Sequence, residues 1–156
     1  MNHFNLHDLF CNDMINATLL AWAIAQCIKI ILVYITTRKL DYTRIFGSGG
    51  MPSSHSAGMV ALTTIALLRC GFASPEFAIC LVVSLIVMYD AAGVRRATGE
   101  HATIINKMIE LYQDGENLFG EKTLKELIGH TPLQVLMGAV LGFVTGIIYW
   151  NIVSSF

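Results

Sequence analysis

Two histidines, each beside small residues at the start of an apolar segment, are the residues best suited to chemistry in this chain. His55 ends the segment 49–55 (GGMPSSH), and His130 lies in 129–132 (GHTP). Such sequences mark helix starts, whose free N–H groups attract anions, and histidine exchanges protons near neutral pH. The pair is suited to phosphoryl transfer, in which one histidine attacks phosphorus and the other protonates the leaving oxygen.

Fixed positive charges are the second requirement, because they neutralise the oxygens of a transferring phosphate. Lys29 stands inside an apolar segment, where a lysine costs about 2.5 kcal/mol or more and usually faces a polar interior. Snorkelling to the nearer membrane surface is the alternative. Gln26 lies one turn earlier on the same helix face, which predicts a polar inward stripe. The other candidate cations are Arg38, Lys39, Arg95 and Arg96, of which the first two also suit interfacial anchors.

Asp90 is a carboxylate close to the end of an apolar segment, and Arg95 and Arg96 are the nearest cations that follow it. It either supports the attacking histidine or anchors the arginine pair Arg95 and Arg96, and the sequence leaves both roles open. Neither a carboxylate cluster nor a nucleotide-binding glycine loop is present, and no metal-ligand spacing stands out. The sequence therefore predicts chemistry without a metal or cofactor.

The composition places these residues in a membrane protein. Of 156 residues, 54% are hydrophobic and 13% are charged, whereas soluble domains carry about 25% charged residues. The mean hydropathy is +0.60. We expect a single membrane domain over 1–156 with an all-α fold. The net charge of −1 argues against a nucleic-acid partner.

Four apolar segments predict a bundle of about four spanning helices. The segment at 55–69 is short for a lipid-exposed span, so it fits a helix whose start lies below the membrane surface, inside protein. The last segment contains a GxxxGxxxG pattern, which permits close helix packing within the chain or across a homodimer. The pattern consists of Gly138, Gly142 and Gly146, and the predicted spans are roughly 15–36, 55–69, 76–92 and 132–153.

Residues 97–131 form a polar insertion that predicts an interfacial or cytoplasmic helical hairpin. Apolar residues recur at helical spacing over Thr103–Tyr112, and Glu121–Ile128 suits a second short helix. Basic residues concentrate in the 37–54 loop and in the 93–131 segment, which contains this insertion. The positive-inside rule then predicts a multi-pass protein of the cell membrane with its site on the cytoplasmic side.

Several motifs together resemble the divergent bacterial and plastid branch of the type 2 phosphatidic acid phosphatase superfamily, which also contains the vanadium haloperoxidases. The resemblance covers nearly the whole chain. Its strongest segments are 49–56 (GGMPSSHS), 90–96 (DAAGVRR) and 129–132 (GHTP), supported by 25–29 (AQCIK) and 38–41 (RKLD).

The second motif of that superfamily, Pro-Ser-Gly-His, is matched by residues 52–55 (PSSH), with Ser54 in place of glycine. The resemblance therefore implies that His55 is the general acid. Lys29 stands for the lysine of the first motif, although no Arg-Pro pair follows it. The phosphate-binding positions that the resemblance implies are Ser53, Ser54 and the arginines Arg95 or Arg96.

The third motif, Ser-Arg-x5-His-x3-Asp, can be aligned in two ways. Taken literally, Arg95-x5-His101 has the right spacing and makes His101 the nucleophile. If 97–129 is an insertion, His130 occupies that position at the start of a spanning helix. Gln134 then replaces the supporting aspartate, and it can orient the imidazole without supplying charge. We favour His130.

The resemblance implies a metal-independent lipid phosphatase with a phosphohistidine intermediate. Its substrate would be a phosphomonoester of the phosphatidic acid or phosphatidylglycerophosphate type. The alternative is a membrane protein that binds or transports a phospholipid or anion with little or no turnover. Gln134 and the incomplete first motif favour this alternative.

Overall fold

The protein is a bundle of helices, as expected. A computed structural model describes residues 6–38, 50–112, 124 and 129–155, and every regular element in these ranges is a helix. The elements are α1 (Leu6–Phe10), α2 (Asp13–Thr37), α3 (Ser54–Cys70), α4 (Pro75–Ala92), α5 (Val94–Tyr112) and α6 (Pro132–Val153).

Polar side chains cap the starts of the four long apolar helices. Asn12 accepts hydrogen bonds from the second and third residues of α2. Ser53, Ser74 and Thr131 do the same for the N–H groups at the starts of α3, α4 and α6. Proline occupies the first turn of α4 and of α6, where its missing N–H costs nothing. These helices therefore begin where the sequence places its capping residues.

Helix α3 is the centre of the bundle and packs against α2, α4 and α6. With 17 residues, it is about 25 Å long, shorter than a typical bilayer span. Its contact with α2 consists of fully buried alanines, namely Ala21 and Ala25 on α2 and Ala57 and Ala61 on α3. The short helix is thus enclosed by protein, as its length predicts.

The three glycines of α6 lie against α3 of the same chain. A Cβ on Gly138 would overlap the carbonyl oxygen of Ser53, and one on Gly142 would overlap that of Ala57. At Gly146 it would lie 2.9 Å from the Cβ of Thr64. Of the two possibilities that the pattern left open, the structure shows packing within the chain for this face. A homodimer stays a prediction.

Hydroxyl groups join α3 to α4 in the apolar interior. The Oγ1 of Thr63 lies 2.7 Å from the Oγ of Ser84, and Ser84 donates to the Met59 carbonyl at 2.8 Å. Both side chains are buried. Such bonds satisfy polar groups that lipid cannot.

The outer surface and the helix lengths fit a membrane. Three stretches are long and apolar enough to cross one: Asp13–Thr37, Pro75–Glu110 and Pro132–Val153. Their outward side chains are large and apolar, and many are more than half exposed, including Ile31, Ile79, Ile86, Val140 and Ile148. A surface of this kind is stable in lipid rather than in water.

The polar insertion begins differently from the prediction. Helix α5 starts at Val94, directly after the bend at Gly93, and not at Thr103. An ion pair of 3.0 Å between Arg96 and Glu100, one turn apart, supports these early polar turns. The second predicted helix, 121–128, lies outside the described residues apart from Leu124.

The packing of α6 predicts that Gly142→Ala destabilises the bundle. The three atoms nearest to the added Cβ would be backbone atoms of Ala57, which cannot rotate away, so we expect a loss of about 1–3 kcal/mol. Thermal unfolding in detergent measures it. Val140→Leu, on the exposed face of the same helix, is the control, and equal melting temperatures for the two variants would contradict the close contact.

Candidate active site

Lys29 points into the bundle rather than to its surface. Its side chain is 1% exposed, and its Nζ has no hydrogen-bond partner among the described residues. The backbone at Gly50, which has a φ of +94°, lies against the methylenes of the lysine, so that a Cβ there would be 3.3 Å from Cγ. Gln26, one turn earlier, is also buried. The predicted inward polar stripe therefore exists.

His130 is held by its backbone at the junction of α4 and α5. Its N–H donates to the Ala91 carbonyl at 3.0 Å. The preceding Gly129 has a φ of +94°, and any Cβ there would overlap the backbone of Arg95 and Arg96. The imidazole is 3% exposed, and neither ring nitrogen has a hydrogen-bond partner in the described part of the chain. The lone pair of the His130 imidazole therefore accepts no hydrogen bond from the described residues.

Three charged groups act together on His130. Burial, and then the positive charges of Lys29, His55 and Arg95, lower the pKa of His130 to about 4. The imidazole is therefore neutral at pH 7, which is the form that can act as a nucleophile. These charges come from α2, α3 and α5, so the site gathers residues from separate parts of the sequence.

His55 lies in the first turn of α3, whose start is rigidly held. The Oγ of Ser53 accepts from the N–H of Ser56 at 3.3 Å and from its hydroxyl at 2.9 Å. The N–H of Ser53 donates to the Gln134 carbonyl at 3.0 Å, so it is not available to a phosphate. Ser54 and His55 are the first two helical residues, whose N–H groups a helix start leaves without intrahelical partners.

The two arginines have different surroundings. The Nε of Arg95 lies 2.6 Å from Oδ2 of Asp90, and its charge acts on His130. Arg96 pairs instead with Glu100 along the outside of α5. Arg95 is therefore the arginine at the site. Of the two roles left open for Asp90, anchoring Arg95 is the one with a direct contact, although its charge also reaches His55.

The sequence led us to expect that Gln134 orients the ring of His130. In the structure, its side chain does not hydrogen-bond to either ring nitrogen. Its Oε1 accepts from the N–H of Thr131 at 3.0 Å, and its N–H donates to the Thr131 hydroxyl at 3.3 Å. This is a capping box, which uses the glutamine three residues after the cap. The Thr-x-x-Gln spacing in the sequence is the pattern of such a capping box. The glutamine side chain therefore bonds to the helix start and not to the imidazole.

The remaining candidates lie away from these groups or outside the description. His101 is exposed on α5, and its charge is not among those that act on His130. Arg38 caps the end of α2 with a φ of 55° and is exposed. Lys39 lies outside the described residues. Within the described ranges, no three histidine, cysteine, aspartate or glutamate side chains converge as a metal site would require.

The low pKa of His130 predicts that acid destabilises the fold. Its value of about 4 is below the value of about 6.5 for an unfolded histidine, so between them only the unfolded chain is protonated. The contribution of neutral His130 to the free energy of unfolding should be fully present above about pH 6.5. It should fall, by up to about 3 kcal/mol, toward pH 4. Unfolding curves of His130→Asn should show a weaker pH dependence, whereas those of His101→Asn should not. Identical slopes for His130→Asn and the native protein would contradict this.

Comparison with known proteins agrees with the motifs at this site. The model of the divergent PAP2 family matches residues 10–145. The uncharacterized membrane protein YuiD of Bacillus subtilis (strain 168) is 39% identical over an alignment of 145 residues that covers 86% of this chain and 92% of the relative. No solved structure matches the chain. Because the family match spans the bundle and both histidine-bearing helix starts, the chain belongs to the divergent PAP2 family.

Proposed function

We propose that this protein is a membrane phosphatase that hydrolyses a lipid phosphomonoester through a phosphohistidine. One observation carries the proposal: the buried ammonium of Lys29 has no partner among the described residues, and its charge acts on an imidazole that is itself buried and unpartnered there. A buried cation is costly unless it is paired. A phosphate between Lys29 and His130 supplies the missing anion.

The first chemical step forms a phosphorus–nitrogen bond. A neutral ring nitrogen of His130 attacks phosphorus while Lys29 and Arg95 neutralise the phosphate oxygens. The bond from phosphorus to the ester oxygen breaks, and the electron pair leaves with that oxygen. His55 donates a proton to it and releases an alcohol. No metal or cofactor takes part in this scheme.

The second step returns the enzyme to its starting state. Neutral His55 accepts a proton from water, whose oxygen attacks phosphorus. The phosphorus–nitrogen bond breaks, inorganic phosphate leaves, and the electron pair returns to His130. The N–H groups of Ser54 and His55 at the start of α3 would assist both steps, because free N–H groups at a helix start bind anions.

A lipid substrate follows from the apolar setting of the site and from the family. Phosphatidic acid and phosphatidylglycerophosphate are the types we propose. The concentration of basic residues in the 37–54 and 93–131 segments supports a cytoplasmic site in the cell membrane.

A second candidate function is phospholipid or anion binding, or transport, without appreciable turnover. The position of Gln134 favours it, because its side chain caps α6 and His130 has no carboxylate partner in the described ranges. In this case the same pocket would bind phosphate, and the imidazole would not be activated.

Histidine variants test the phosphatase directly. Purified protein should release phosphate from phosphatidic acid or phosphatidylglycerophosphate, and vanadate should inhibit it. His130→Ala should lower kcat by at least about a thousandfold, and His55→Ala by about a hundredfold or more. The matched control is His101→Ala, which we expect to retain activity.

Three outcomes would revise the proposal. Phosphate binding without release from any lipid phosphate favours the second candidate function. Loss of activity in His101→Ala with retention in His130→Ala would assign the nucleophile to His101. Release that depends on an added metal ion would contradict the metal-free scheme.

Replacing Lys29 with methionine should separate stability from function. The change removes a buried charge, so the melting temperature should stay the same or rise. The affinity for vanadate should fall about tenfold or more, because a direct cationic contact is lost. Lys107→Met, at an exposed position on α5, should change neither property. A large loss of stability in Lys29→Met would mean that the charge has a structural partner.

A further inference from the structure

An apolar groove begins at His55 and runs along the outside of α3. Its volume is about 380 Å³, within the usual range of small-ligand sites. Its walls come from α2, α3 and α4. The residues that matter for its shape are Thr18, Leu19, Trp22, His55, Gly58 and Val87.

The groove leads away from the cations toward the middle of the bundle. Helices α2 and α3 are antiparallel, since Arg69 near the end of α3 pairs with Asp13 at the start of α2, whereas Lys29 lies beside Gly50. Trp22 and then Thr18 are therefore increasingly distant from Lys29. Leu19, at the rim, is 59% exposed, so the groove opens to the lipid-facing surface.

Gly58 forms the floor of this groove. A Cβ on it would lie 3.4 Å from Cγ2 of Thr18 and 3.9 Å from Cβ of Trp22, which is van der Waals contact. A side chain longer than alanine would therefore extend into the space between α2 and α3. The absence of a side chain at this position keeps the groove open next to the general acid.

We propose that this groove holds the first part of one acyl chain of the lipid phosphate, and that Gly58 provides the room for it. The inference rests on the proposed function and adds the route and the specificity of the substrate. Cations at one end, apolar walls and an opening to lipid match an amphipathic molecule with a phosphate at its end. The chain would enter sideways from the bilayer, so the ester oxygen arrives beside His55.

A second apolar cavity serves as an internal comparison. It lies between α3, α4 and α6, has a volume of about 190 Å³, and is lined by residues that include Val60, Leu81 and Phe143. Neither a histidine nor a cation borders it. Filling this cavity should leave substrate choice unchanged, whereas filling the groove should alter it.

Kinetics of groove variants provide the first test. For each variant, kcat/KM is measured with dioleoyl phosphatidic acid and with p-nitrophenyl phosphate. The value for the lipid divided by the value for p-nitrophenyl phosphate is then compared with that of the native protein. We expect Gly58→Leu to lower this ratio about tenfold or more. Leu19→Trp, at the exposed rim, should lower it in the same direction, and it covers the case in which Gly58→Leu fails to fold.

The matched control is Leu81→Trp, the same substitution at the exposed edge of the second cavity, which should keep the native ratio. If Gly58→Leu and Leu19→Trp lower both activities equally, or if Leu81→Trp changes the ratio as much as they do, the acyl-chain assignment is overturned.

Photocrosslinking provides a second test that does not need turnover. Native protein in nanodiscs is irradiated with phosphatidic acid that carries a diazirine near the carboxyl end of one chain. We expect labelling of the segment Thr18–Trp22 and its loss in Gly58→Leu. Labelling of Thr18–Trp22 without phosphate release would support the acyl-chain groove and contradict the proposed phosphatase activity. Phosphate release with labelling only around Leu81 or elsewhere would retain the phosphatase and overturn the groove.

Discussion

The structure depends on the close contact that brings the starts of α3 and α6 together. Gly138 and Gly142 allow α6 to lie on the backbone of α3, and the Ser53 N–H bonds to the Gln134 carbonyl where both helices begin. His55 and His130 are close to these starts. Because backbone atoms make the contact, the relative position of the two histidines is set by the packing of the helices and not by flexible side chains.

A buried charge at the centre of this arrangement has no hydrogen-bond partner in the described ranges. The methylenes of Lys29 lie against the backbone at Gly50, and its ammonium makes no hydrogen bond there, whereas Arg95 and Arg96 are paired with carboxylates. A protein retains such a costly group when a ligand completes it. Burial, and then the charge of Lys29 with those of His55 and Arg95, lower the pKa of His130. Under the proposed function, the same lysine would bind the anion and help to keep the attacking imidazole neutral.

The sequence predicted the elements of the fold better than the connections between its polar side chains. Apolar segments and capping residues located α2, α3, α4 and α6, because hydropathy and helix capping act locally. The predicted helix over Thr103–Tyr112 exists, but α5 starts earlier, at Val94, because its first turns are polar and show no apolar periodicity in the sequence. The role of Gln134 also differed, because two local interactions competed for one side chain.

Site residues were predictable as types, and their partners were not. Motifs indicated Lys29, His55, Arg95 and His130, but the choice between Arg95 and Arg96 depends on the direction in which each leaves α5. The motifs included Gly50 and Gly129, but the sequence did not show why glycine is needed there. In the structure, the backbone at Gly50 lies against Lys29, and the backbone at Gly129 lies against that of the arginine pair. The groove beside Gly58 gave no sequence signal, since a glycine in an apolar helix also suits simple packing.

The absence of a carboxylate beside His130 in the described ranges bears on how turnover would work. When an imidazole attacks phosphorus, positive charge develops on its ring, and an aspartate usually stabilises it. Here Lys29 and Arg95 would repel that charge. A bound phosphate reverses this balance, because its negative oxygens neutralise the two cations and face the ring. The substrate itself would then supply the charge that Gln134 cannot, so binding and activation of the nucleophile would be a single event.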